Sequence, residues 1–65
     1  MNASTYELKT RPCSIYPGQF RWTVFENGNP VRFSPMPFLS ESLAASNGIV
    51  VVRELEALKR LEQRG

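Results

Sequence analysis

The clearest pattern in the chain is an alternation of apolar and polar positions that reverses about one dipeptide. From Gln19 to Ser34 the alternation runs on both sides of Asn27-Gly28, a pair that accepts the left-handed backbone a two-residue type I′ hairpin loop needs at both positions. Such a loop fixes a register in which Val24 faces Val31, Trp22 faces Phe33 and Phe20 faces Pro35, all on one face. The opposite face then carries Arg21, Thr23, Phe25, Arg32 and Ser34. Turn and alternation agree on which side is buried, so strands are predicted over 19–26 and 29–34. Upstream, Thr5 to Arg11 also alternates, with Tyr6, Leu8 and Thr10 on one side, and predicts a strand over 5–11 that Pro12 ends. Cys13 to Gly18 is a connection whose Pro17-Gly18 suits a type II turn. Ile15 and Tyr16 are expected to tuck under the sheet edge, and Met1 to Ser4 to be frayed. Pro30 has no N–H to donate, which puts its strand at an edge near the turn.

Past the hairpin the period changes. Ser34-Pro-Met-Pro-Phe38 cannot continue a ladder, because two prolines remove donors and hold their predecessors extended. Ser40 is a natural N-cap, Glu41 complements the helix dipole, and Leu39 is placed to staple onto Ala44, so a helix is predicted over 41–63. Asn47-Gly48 followed by Ile-Val-Val-Val52 competes as a second hairpin turn. Ser42 to Ser46 is a poor strand, however, and Glu54 to Arg64 is strongly helix-forming, so the helix prevails. On a helical wheel Ala44, Gly48, Val51, Val52, Leu55 and Leu58 share one face, with Gly48 letting the axis approach the sheet beneath Trp22. Leu43, Val50, Ala57 and Leu61 form a second stripe that one small sheet does not cover. A helix of this length spans roughly 35 Å and a seven-residue strand roughly 23 Å, so about two turns, holding Leu58 and Leu61, are expected to overhang. The architecture that follows is a single α+β domain over 1–65: a three-stranded antiparallel β-sheet with one long C-terminal α-helix packed on one face (β-β-β-α).

Size and composition sharpen this. A chain of 65 residues buries only roughly 60% of the surface its unfolded form exposes, so a lone domain is marginal and a second chain helps. One cysteine, Cys13, allows no internal disulfide, and the absence of histidine leaves no metal-ligand set. Neither a cofactor nor a metal is expected. Met1 to Arg11 is polar, and no apolar run approaches the roughly 18 residues of a membrane span or the roughly 7–15 of a signal-peptide core. The expectation is a cytoplasmic protein with no membrane partner. The net charge is only +2, with the excess on the strand half, too little by itself to predict a nucleic-acid partner.

The run Gly18-Gln-Phe-Arg-Trp-Thr-Val-Phe-Glu-Asn-Gly28, then Ser34, Phe38 and Ser40, and finally Ala45-Ser-Asn-Gly-Ile49 with Val52, resembles the core of the YegP-like family of small uncharacterised bacterial proteins. The resemblance covers roughly residues 15–55 and implies a β-β-β-α repeat. Members usually carry two tandem repeats; a chain with one is then expected to form a homodimer that rebuilds the pair. The proline-rich Ser34-Pro-Met-Pro37 departs from the family at the end of the third strand. The family brings no established activity and no catalytic residues.

Candidate chemistry is sparse. No nucleophile with a base, carboxylate pair or metal set is visible, so the chain is read as not an enzyme. Cys13, without a histidine and with Arg11 as its nearest cation in sequence, is read as half-buried or incidental. The leading reading is a non-enzymatic protein-interaction module, a homodimer that uses the stripe Leu43, Val50, Ala57, Leu58 and Leu61 and then docks a larger partner. A first alternative is single-stranded nucleic-acid or RNA binding on an exposed basic sheet face of Lys9, Arg11, Arg21, Phe25 and Arg32, with charge for phosphates and a ring for stacking. A second is a small inhibitor of a larger enzyme, which fits the size and has no sequence feature of its own.

Overall fold

Four elements follow one another in a computed structural model that describes residues 5–64, with side chains over 5–62. They are β1 (Tyr6–Pro12), β2 (Phe20–Glu26), β3 (Asn29–Phe33) and α1 (Glu41–Arg64), an α+β arrangement of β-β-β-α order. The expected fraying of Met1 to Ser4 lies outside the described residues. The strands form one antiparallel sheet in the order β1-β2-β3, with β2 central.

Turn chemistry sets the corners. Asn27 has φ 51° and Gly28 φ 87°, both left-handed as the type I′ loop requires. Gly18 has φ 83°, and the Gln19 N–H donates to Tyr16 O at 3.1 Å, closing the type II turn over Pro17-Gly18. The start of β1 is tied to the hairpin tip by two bonds: Asn27 N–H to Thr5 O at 3.0 Å and Thr5 N–H to Asn27 Oδ1 at 3.2 Å. β1 then pairs with β2 in an unbroken register, Leu8 opposite Val24 and Thr10 opposite Trp22, so Tyr6, Leu8, Phe20, Trp22 and Val24 share the inner face.

The hairpin itself departs from the expected register. Phe25 pairs with Pro30 as the turn dictates, but Val24 pairs with Arg32 and Thr23 with Phe33, so Val31 is an extra residue in a β-bulge. Val31 still packs against the core. Beyond it the faces exchange: Arg32 joins Val24 on the inner side, and Phe33, expected opposite Trp22, stands 62% exposed on the outer side. Past residues 34–37 the chain returns to β2, where Phe20 and Phe38 exchange backbone bonds of 2.8 and 2.7 Å.

The helix forms for the expected reasons. Ser40 Oγ accepts from the Leu43 N–H at 3.1 Å, the N-cap bond, with Glu41 in the first turn. Glu41 is also tied to the sheet, its Oε2 accepting from Thr10 Oγ1 at 2.7 Å. Asn47-Gly48 is helical. Trp22, Val24, Ala44 and Leu55 form the buried core, with Tyr6, Leu8, Phe20, Val31, Phe38, Val51 and Val52 packed around it. A Cβ placed on Gly48 would lie 2.5 Å from Leu8 Cδ1 and 3.1 Å from Trp22 Cγ, so the glycine is what lets the helix rest this low. Beside it, the indole Nε1 of Trp22 donates to Asn47 Oδ1 at 2.8 Å.

Several apolar side chains are not where the pattern put them. Ile15 (69% exposed) and Tyr16 (50%) ride on the surface of their connection instead of tucking under the sheet, because the tight turn at Pro17-Gly18 holds that loop outward. Leu39 is 76% exposed and does not staple onto Ala44; Phe38, drawn in by its bridge to Phe20, takes the place beside the core. Leu58 is 53% exposed, so the buried row of the helix ends at Leu55. Near its C-terminal end the helix meets the end of β2, where Lys59 Nζ lies 3.3 Å from Glu26 Oε2.

Candidate interaction surfaces

The first surface comes from an incomplete cover. α1 lies across β1 and β2, and of β3 only Val31 packs against the core, so most of the inner side of β3 is left open. On the helical wheel Leu43, Val50, Ala57 and Leu61 form a stripe roughly a third of a turn from the core row, with Asn47 and Leu58 between the two. Asn47 reaches the Trp22 indole, and Leu58 lines a hollow of about 220 Å³ with Val31 and Arg32 of β3, so the spare stripe lies on the β3 side. Leu43, Val50, Leu58 and Leu61 are each more than half exposed, and Ala57 is exposed too. These five predicted residues therefore belong to one flank of the helix, above a strand that is covered only at Val31. Tyr6, Glu26, Leu55, Lys59 and Glu62 complete the hollow. Sequence reasoning missed the contribution of β3, because nothing in its alternation signals that the helix stops short of it.

The second surface is the back of the sheet. The pairs Glu7–Phe25, Lys9–Thr23 and Arg11–Arg21 place Lys9, Arg11, Arg21 and Phe25 together, as expected. Arg32 is not among them: the bulge turns it to the helix side, beside Leu55 and Leu58. Phe33 takes its place, directly opposite Thr23 and diagonal to Phe25. Lys9 Nζ lies 5.4 Å from the centroid of the Phe25 ring, a cation–π contact that holds the ammonium over the face. Thr23, although on this outer face, is only 8% exposed between these longer side chains.

At one end of this face sits Cys13. The residue is 6% exposed, and its thiol accepts a hydrogen bond from Arg21 Nε at 3.3 Å, while Arg21 Nη1 reaches Ser34 O at 3.5 Å. The Arg21 hydrogen bond is the chief cause that holds the thiol below its ordinary pKa, helped by backbone donors at Tyr16 and Ile15 and opposed by desolvation. Arg11 is the nearest cation in sequence, but pairing across β1 and β2 brings Arg21 to the thiol, and the cysteine is buried rather than half-buried. A hollow of about 350 Å³ lined by Arg11, Pro12, Cys13, Ser14, Ile15 and Arg21 opens beside it.

Among the described residues, no three His, Cys, Asp or Glu side chains gather as a metal set, and no helix is long and apolar enough to cross a membrane. Comparison with family models, with curated proteins and with solved structures finds no match.

Proposed function

We propose that the chain is a non-enzymatic protein-interaction module that acts as a homodimer, a second copy covering the spare stripe of α1 and the inner side of β3. The observation that carries this reading is the incomplete cover: one helix for two of three strands, with its leftover leucines and valine on the side of the third. The rim of the hollow holds both signs of charge in Arg32, Lys59 and Glu62, which a self-pairing surface needs. The likeness to YegP-like sequences supports the same assembly, since a single repeat implies a partner repeat. Sedimentation velocity at micromolar concentration is the test. The expected result is a dimer that Leu61→Glu and Val50→Glu dissociate with a fall in melting temperature. A monomer over that range, with Leu61→Glu melting as the parent does, would overturn it.

A further inference from the structure

We infer that the back of the sheet binds single-stranded nucleic acid, with Phe25 and Phe33 stacking on bases and Lys9, Arg11 and Arg21 meeting phosphates. The bulge at Val31 is what assembles this surface. With a uniform hairpin register the back would hold one ring; with Val31 set aside it holds two, on neighbouring strands and diagonal to one another. Diagonal side chains on a sheet lie roughly 7–8 Å apart, a spacing at which two successive unstacked bases each find a ring. Exposure fits: Phe33 is 62% exposed although it lies on a strand beside a tightly hydrogen-bonded neighbour, and the sheet itself provides no cover for it.

Charge selects the occupant. Lys9, Arg11 and Arg21 face only Glu7 on this side, and the remaining five cations and five glutamates of the chain cancel, so the net +2 of the molecule is the charge of this one face. A second copy applied here about a twofold would set these cations against their own equivalents, which disfavours self-pairing. A polyanion meets no such penalty. Two stacking rings further require unpaired bases, which a duplex does not offer. Lys9 joins the two components: its ammonium rests 5.4 Å from the Phe25 ring centroid, and a base that takes its place on the ring leaves it free to meet the adjoining phosphate. Arg21, already anchored to Cys13 and Ser34, retains further N–H donors and is ordered before any ligand arrives.

Fluorescence anisotropy with a short labelled oligo-dT, an oligo-U RNA and a duplex of equal length tests this at about 25 mM and about 250 mM salt. The expected result is binding of both single strands at low salt, weaker binding of the duplex, and a log–log salt slope of about 2 for three phosphate contacts. Phe33→Ala should weaken binding about tenfold, with circular dichroism unchanged; where that variant alters the spectrum, Phe33→Leu keeps the apolar bulk without the ring and should show the same loss. Arg11→Glu should weaken binding and flatten the salt dependence, while Arg53→Glu, an equal charge change on the helix, should affect it much less. No binding at low salt, duplex bound as well as single strand, or retained affinity in both Phe33 variants would overturn the inference. So would a Phe33→Ala change that alters sedimentation but not oligonucleotide binding, since the face would then be an interface between copies.

Discussion

Gly48 carries more of the packing than any other single residue without a side chain. Gly48→Ala gains about 1 kcal/mol of helix propensity, but the new methyl meets Leu8, whose tip can rotate, and the fixed ring of Trp22, 3.1 Å away. Overpacking costs about 1–3 kcal/mol, so the net expected effect is destabilisation, read as a lower urea midpoint. A glycine inside a helical pattern announces a close approach, and this role was legible in the sequence. The neighbouring Asn47 was not: its bond to the Trp22 indole depends on how far the helix is rotated over β2, which no spacing along the chain encodes. Cys13 was half legible. Its near-isolation from solvent and its pairing with Arg21 come from a turn and a strand register acting together. Because the folded thiol titrates below its ordinary value of 9.0, the folded state sheds its proton before the unfolded state does. Its stabilising contribution is complete above the ordinary value and is lost as the pH falls through the lowered one. The melting-temperature advantage of the parent over Cys13→Ser should therefore grow as pH rises from neutral toward 9.0. In Arg21→Gln, the alkylation profile of the thiol should move to higher pH.

At the scale of elements, type and order could be read directly, because each terminus carries its own chemistry. Ser40 is the clearest example, and Ser40→Ala should cost about 1 kcal/mol, visible as a loss of helical signal on heating. The inner half of β3 could not be read, and the reason is physical. A register is strongly specified only where one face is buried, and the helix buries β1 and β2 but leaves β3 open on either side of Val31. The turn pins Pro30 opposite Phe25; one step further, nothing apolar insists that Val31 face Val24. Ser34, at the end of this stretch, is a second consequence. Its hydroxyl is buried and has no hydrogen-bond partner within the protein, so Ser34→Ala should leave the melting temperature unchanged or raise it, since no bond is lost and a desolvated polar group is removed.

For the whole molecule, the sequence anticipated a surplus of apolar helix and the structure says where that surplus points. A stripe along a helix is visible from its spacing; the mostly uncovered strand beneath it is not, because the lateral position of a helix on a sheet is set by packing at Gly48 and Trp22. If two copies share this cover, folding and association are one equilibrium, and the melting temperature of the parent should rise with protein concentration while that of Val50→Glu stays flat. The two surfaces are also separable: Leu61 belongs to the helix flank and Phe33 to the sheet back, so each can be altered without touching the other.

The bulge at Val31 has a bearing on how this chain tolerates changes of length. Shortening a strand by one residue ordinarily inverts every side chain that follows. β3 is different, because it already holds one residue more than its partner. Deleting Val31 would close the ladder with Arg32 still opposite Val24 and Phe33 still opposite Thr23, at the expense of one half-buried valine. In this strand a one-codon deletion is a repacking event, not a frame change: the strand can vary in length while both of its faces keep their identities.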